Sequence, residues 1–366
     1  MSQEIENKPQ RKRSGRRNGN APTVADVARE AQCSPMTVSR VVNGGNVREK
    51  TREQVLEAIR KLNYSPNKAA RSLAGADQLR VGLLFDNPSS SYLAEFLMGA
   101  LEAGSRSDVH LEVQSCDNAP DHAQLIQSMS DGGITGFILP PPLCDDQRVL
   151  DLILEAGGIA VAVSPGRAKG AHAGILIDEF QAAFDMTKHI IGLGHERIGF
   201  IIGNPEQVAS GQRLEGYRAA MEEAGLTVRE NLLAQGQFTY RSGMVAAEKL
   251  LDADPRPTAI FASNDDMAAA TVAVAHRRHL DVPSDITVCG FDDTDLASSI
   301  WPELTTVRQP IRQMTARAVE LIVKATRAKR QGLPPQMEKV ILPYELVRRN
   351  SDAGPSLATS SKDKKA

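Results

Sequence analysis

From Arg80 onward the chain alternates short apolar runs with longer amphipathic stretches, and it does so in two rounds. The first round reads RVGLLF, YLAEFLMGALEAG, HLEVQSC, GFILPP and GIAVAV, and closes with AHAGILIDE near Asp178. The second opens on a helical stretch over 179–192 and continues through RIGFIIG, GQRLEGYRAAMEEAG, TAIFAS, DDMAAATVAVAHRRH and ITVCGFDD. Strands that are apolar throughout must be covered on both faces, which requires parallel sheets flanked by helices. Two rounds of comparable length predict an α/β region of two lobes over 80–349. A helix at 311–327 and a strand around 339–347 follow and are expected to return and complete the lobes. Lobe 1 is then about 80–178 plus 311–338, and lobe 2 about 179–310 plus 339–349. The polar residues 350–366 read as a disordered tail.

The N-terminal part obeys a different pattern. Residues 1–21, with RKRSGRRNGN, are basic and without periodicity, and read as a disordered arm. Over 22–64 three helix starts are written in capping residues. Thr23 with Asp26 is a capping box ahead of Val24, Val27 and Ala28. Ser34 followed by Pro35 starts a second helix with Val38, Val41 and Val42 on its inner face. Thr51 with Gln54 repeats the signature before Val55, Leu56, Ile59 and Leu62. The glycines of NGGN at 43–46 take the chain out of the second helix. Short helices in this order predict an all-α helix-turn-helix headpiece. In 65–79, Ser65, Pro66 and Gly75 bound a helix so brief that something else must fold it.

Charge separates the two parts. The first 79 residues hold 15 Lys/Arg against 8 Asp/Glu, a formal +7, and the remainder holds 28 against 37, a formal −9. A basic headpiece suits a polyanion such as double-stranded DNA. Cys33, Cys116, Cys144 and Cys289 lack ligand spacing, and the histidines form no HExxH, so no metal or cofactor is expected. The polar, basic first twenty residues do not read as a signal peptide, and no apolar stretch is long enough to span a bilayer. A cytoplasmic protein without a membrane partner is the expectation. GxGxxG, Walker and GxSxG motifs are missing, and no convergent catalytic set appears, so no enzyme is expected.

In a helix-turn-helix the second helix enters the major groove with its N-terminal residues against base edges. Pro35, Met36, Thr37, Ser39 and Arg40 face away from the valine stripe and are candidates for base contact, Arg40 suiting guanine. Thr23, Ser34, Asn43 and Thr51 suit phosphate. In the two-lobed part, ligands are expected at the carboxyl ends of the strands, between the lobes. Asp86, Arg213, Asn264, Asp265 and Asp292 lie at such ends or in the following loops, and Tyr92 and Trp301 offer flat surfaces. Carboxylates beside a guanidinium suit a hydroxyl-rich molecule, which needs both acceptors and donors.

The stretch TVADVAREAQCSPMTVSRVVNGGNVREKTREQVLEAIRKLNYSPNKAARSLAG, together with RPTAIFASNDDMAAATVAVAHRRHLDVPSDITVCGFDDTDLASSIWPELTTVRQP, resembles the lactose/galactose repressor (LacI/GalR) family over about residues 22–349. The resemblance implies a helix-turn-helix headpiece, a hinge helix and a periplasmic-binding-protein-like sensor with parallel sheets. It implies a homodimer on pseudo-palindromic operator DNA, since the family's tetramerising heptads are not found beyond residue 349. Residues 67–74 match the hinge helix, and Leu73 matches the leucine that wedges into a central CG step from the minor groove. Tyr64, Asn67, Ala70 and Arg71 join that DNA-facing set. Arg213 and Asp292 match the family's effector clamps, Phe238 its stacking aromatic, and Asn264 and Tyr92 pocket positions. Pro35 departs from the family's usual small or aromatic residue, and NGGNV is one residue shorter than in lactose-sensing members. Gln207 and Ala209 replace the arginine and threonine of purine-sensing members, which favours a sugar or sugar derivative as effector. The expected function is a transcriptional repressor controlled by a small carbohydrate effector. A solute-binding protein for sugars or nucleosides shares the two-lobed shape but has no use for the headpiece.

Overall fold

The computed structural model describes residues 22–42, 47–64, 79–116, 121–166, 173–334 and 338–355. It divides into two compact units, one up to residue 77 and one from residue 78.

In the first unit, α1 spans Val24–Glu30, α2 Pro35–Val42 and α3 Glu49–Lys61. The capping box forms at α1: Thr23 Oγ1 accepts from the Asp26 amide at 3.3 Å, and Asp26 Oδ2 accepts from the Thr23 amide at 2.9 Å. At α2, Ser34 Oγ accepts from the Thr37 amide at 3.1 Å. The third start differs from expectation. α3 begins at Glu49, so Thr51 sits inside its first turn, where its amide donates to the Arg48 carbonyl at 2.9 Å. Glu49 suits that position because a carboxylate is favoured at the positive end of the helix dipole. Val27, Ala28, Ala31, Val38, Val41, Val55, Ala58 and Tyr64 form the core. Val24 and Leu56, expected on inner faces, are 38% and 45% exposed. Leu56 follows Val55 directly, about 100° around the helix, and the inward position one turn on from Val55 belongs to Ala58.

The second unit holds two six-stranded sheets. In the first round, β1 spans Leu79–Phe85, α4 Ser90–Ser107, β2 Val109–Ser115, α5 His122–Asp131, β3 Gly136–Leu139, α6 Gln147–Glu155, β4 Ile159–Val163 and β5 Ala173–Leu176. In the second, α7 spans Glu179–Gly192, β6 Ile198–Ile202, α8 Val208–Glu223, β7 Leu233–Gln235, α9 Tyr240–Leu251, β8 Ala259–Ala262, α10 Asp265–Arg277, β9 Thr287–Asp292, α11 Asp295–Ser299 and β10 Thr305–Arg308. α12 (Ile311–Arg330), β11 (Lys339–Ile341) and β12 (Glu345–Val347) follow.

The sheets run β11-β5-β4-β3-β1-β2 and β12-β10-β9-β8-β6-β7, parallel except for β12 on β10. Leaving out the edge strands β11 and β12, both have the doubly wound order 2-1-3-4-5, which opens a crevice at the carboxyl ends where the winding reverses. The strand expected over 339–347, assigned to lobe 2, is two strands in different sheets. Lys339–Ile341 pairs with Gly174–Leu176 of the first sheet, and only Glu345–Val347 joins the second. Pro343 stands between them; it has no N–H to give to a ladder.

α12 packs back on the first lobe against α4, where the two helices meet so closely that a Cβ on Gly99 would lie 2.5 Å from the Arg312 carbonyl oxygen. The run expected as a tail from residue 350 is packed at its start. Ser351 Oγ accepts from the Thr305 amide at 2.8 Å, and its carbonyl accepts from the Val288 amide at 2.9 Å. The buried Asp352 carboxylate joins His189 at 2.7 Å and Thr305 Oγ1 at 2.6 Å. Its polar residues are buried because each finds a partner there. Among the described residues no helix is long and apolar enough to cross a membrane.

Candidate functional site

Between the two lobes lies a cleft with about 350 Å³ of empty volume. Its walls are the segments that leave the carboxyl ends of the strands. Ser89 and Tyr92 follow β1, Ser164 follows β4 and Glu179 follows β5; opposite them, Gln207 follows β6, Phe238 follows β7, Asn264 follows β8 and Asp292 ends β9. Gln309, in the segment that carries the chain from β10 back to α12, lines it as well.

Arg213, on α8, is 4% exposed and held on every side. Its Nε donates to Glu179 Oε2 at 2.8 Å, Nη1 donates to the Ser263 carbonyl, and Nη1 lies 3.8 Å from Asp292 Oδ1. The guanidinium stacks 3.6 Å over the Phe291 ring and lies 5.7 Å from that of Phe238. Burial disfavours its charge, but Glu179 and Asp292 outweigh that and hold its pKa above the ordinary value. Asp292 is pushed the other way. Burial lifts its carboxyl well above the usual range, against the pull of Arg213 and the 2.6 Å hydrogen bond from Gln309 Nε2. Burial also raises the Tyr92 phenol.

Asp292, Phe238 and Ser164 all have positive φ, at 114°, 59° and 55°. Side chains rarely adopt such backbone, at a cost of order 1–3 kcal/mol each, and it concentrates where a site must be shaped. More telling are the buried polar atoms without a hydrogen-bond partner on residues that line this one cleft: Glu179 Oε1, Gln207 Nε2 and Gln309 Oε1, with the Tyr92 and Ser164 hydroxyls having at most each other. Unpaired buried polar groups are costly, so a concentration of them marks where a polar ligand belongs. Two ties join the lobes at its rim. Ser89 and Ser91 donate to Asp266 at 2.6 and 3.2 Å, and the Val208 amide donates at 3.4 Å to Asp145, which the Gly166 amide holds within its own lobe at 2.9 Å.

Of the residues expected here, the structure brings Tyr92, Arg213, Phe238, Asn264 and Asp292 to the cleft. Asn264 lines it while capping α10: its Oδ1 accepts from the Met267 amide at 3.0 Å and its Nδ2 donates to the Phe238 carbonyl at 3.0 Å. Three others do not line it. Asp265 faces the sheet, accepting from Thr306 Oγ1 at 2.7 Å and from the Thr294 amide at 2.9 Å. Burial lifts its pKa to about 7. Trp301 is 77% exposed. Asp86 is half-buried and precedes the first lining residue, Asn87, whose Nδ2 donates to the Pro141 carbonyl at 3.0 Å. Sequence reasoning missed Glu179, Ser164 and Gln309 as site residues. Glu179 follows a strand end directly after the helix cap Asp178, a signal of the same kind as the one that singled out Asp292.

In the headpiece unit, Pro35, Met36, Ser39 and Arg40 are exposed on one side of α2, and Met36 is 65% exposed. Thr37 is half-buried with its hydroxyl 2.9 Å from that of Ser34. The Thr23 hydroxyl donates to Asp26 at 2.7 Å, and Thr51 is half-buried. Tyr64, expected to face DNA, is 8% exposed and belongs to the headpiece core. Asn43, Asn67, Ala70, Arg71 and Leu73 lie outside the described residues.

Comparisons with known proteins agree with this division. Residues 23–67 match the family model for bacterial regulatory proteins of the lacI family, and residues 187–351 match that for the periplasmic binding protein-like domain. The catabolite control protein A of Priestia megaterium is 36% identical over 305 residues, 82% of this chain and 92% of that protein. A solved complex of the transcriptional regulator CelR with cellobiose is 30% identical, with a TM-score of 0.68 over 90% of this chain and 99% of that one. The lac repressor dimer bound to operator and the anti-inducer ONPF is 25% identical, with a TM-score of 0.69 over 91% of this chain and 100% of that one.

Proposed function

The chain belongs to the LacI/GalR family of bacterial regulators and is a DNA-binding transcriptional regulator modulated by an effector, not an enzyme; from that premise we propose that it is a repressor whose effector is a sugar or sugar derivative held in the interlobe cleft. The observation that carries this is the set of unpartnered buried polar atoms around Arg213 and Asp292. Hydroxyls both donate and accept, so a polyol can satisfy such a mixed set at once. Phe238 supplies the apolar surface that a sugar ring packs against. The cellobiose bound by CelR is a relative's ligand of this class.

On DNA, the reading is a homodimer at a pseudo-palindromic operator with a central CG step, working in the bacterial cytoplasm. Pro35, Met36 and Arg40 are assigned to base edges, because they stand on the exposed side of α2. Thr23, Ser34 and Thr51 are assigned to phosphate. The effector alters operator affinity by favouring one relative setting of the lobes. The chain passes between the sheets at 177–178, 309–310 and 342–344, and Gln309 in the second crossing bonds the clamp residue Asp292.

The experiment is a thermal-shift screen of monosaccharides, disaccharides and nucleosides on the purified protein, followed by operator binding with and without each hit. A sugar that raises Tm and changes operator affinity is the expected result. A hit confined to nucleosides would replace the sugar assignment.

A further inference from the structure

Resting on the reading of the cleft as the effector site, we propose that the effector is a polyhydroxylated amine, of the chemistry of an amino sugar, with its ammonium group held by Glu179. Two carboxylates, Glu179 and Asp292, line the cleft, against a single cation among the described lining residues. That cation, Arg213, is bonded through Nε to Glu179 and through Nη1 to Ser263, and its plane is covered by Phe291. A phosphate or carboxylate on the ligand would therefore have to compete with Glu179 and Asp292 for the guanidinium inside a buried site. A positive group meets the opposite situation.

Glu179 is 5% exposed, and only one of its oxygens is engaged. The other, Oε1, is buried without a partner, on a residue that lines the cavity. A buried carboxylate oxygen is best satisfied by a charged donor, since charge-assisted hydrogen bonds are the strong ones. A second vacant acceptor, Gln309 Oε1, reinforces the demand for donors. Gln207 Nε2 is the vacant donor, and the hydroxyls of Tyr92 and Ser164 can act either way. An ammonium supplies three donors, and ring hydroxyls supply the rest.

The test is calorimetric titration of the full-length protein with glucosamine, galactosamine and mannosamine. Each is compared with its parent sugar, and glucose 6-phosphate and glucuronate are the anionic probes. At least one amino sugar is expected to bind tenfold or more tightly than its parent, with both anions at least tenfold weaker than that parent. Glu179→Gln is expected to reduce the preference for the amine over its parent sugar to within about twofold, whatever its effect on the parent sugar's own affinity. The wild-type comparison stands even if that variant does not fold. Parent sugars binding as well as their amines, or an anionic probe binding as tightly, would overturn the proposal and leave the carbohydrate reading intact. Failure of every probe to bind at millimolar concentration would overturn the carbohydrate reading, and the amine with it.

Discussion

Arg213 and Asp292 answer to each other inside the cleft, and their effects on sensing should separate from those on DNA binding. Each lies in the sensor unit. Arg213→Ala and Asp292→Ala are expected to leave operator affinity without effector within a few fold. Effector affinity should fall by about thirty-fold or more, the loss expected when one partner of a buried charge-assisted contact is removed, on the order of 2–5 kcal/mol. Calorimetry with the effector beside operator titration checks both halves. Asp265 behaves differently because its acid is buried against β10. Its folded pKa, about 7, is above its unfolded value. Protons therefore favour the folded form: this residue's contribution to stability is greatest at low pH and falls as pH rises from about 4 to about 7. In Asp265→Asn, denaturant unfolding at pH 5 and pH 8 should differ less favourably toward pH 5 than in the parent.

At the scale of elements, α1 has only seven residues, so its cap carries an unusual share of its stability. Thr23→Ala removes one side of the capping box and is expected to lower headpiece stability by about 1 kcal/mol, measurable as a shift in the headpiece's unfolding midpoint. The segment after β12 is a second dependent element. Deleting residues 351–366 strips the Val288 amide of its acceptor and the Thr305 hydroxyl of the Asp352 carboxylate, and leaves His189 and His195 without Asp352 and the Ala353 carbonyl. The deletion should lower the Tm of the sensor by several degrees. Acid should mimic it in part. Burial holds the His195 pKa below its ordinary value, so its contribution is complete above about 6.5 and is lost as pH falls through the lowered value. Asp352 opposes burial with hydrogen bonds from His189 and Thr305, which keep its pKa low, so its contribution too is lost in acid.

For the whole molecule, the formal +7 of the first 79 residues against −9 for the rest concentrates positive charge in the headpiece part. Operator affinity should therefore fall steeply with salt, with a log–log slope of several units. Fluorescence anisotropy across a salt series measures it, and mass determination of the complex should find two chains per operator. A flat salt response would remove the electrostatic account. A single chain per operator would remove the dimer.

The alternating apolar and amphipathic runs determined both α/β lobes, because parallel strands buried on two faces leave a continuous apolar signal. Thr23–Asp26 and Ser34–Pro35 determined the starts of α1 and α2, since capping is a contact between near neighbours in the chain. Arg213 and Asp292 were legible as charges at strand ends. The structure alone decided which acids face the cleft. Asp265 and Asp292 look alike in the sequence, yet Thr294 and Thr306 draw the first toward the sheet. Glu179 meets Arg213 from 34 residues away, across α7 and α8. The destinations of β11 and β12 were likewise undecidable, because three-residue strands carry no periodicity and a sheet partner is chosen by packing. Ser351 and Asp352 read as tail because their polarity says nothing of the buried donors on β9, β10 and α7 that only the folded lobe brings within reach.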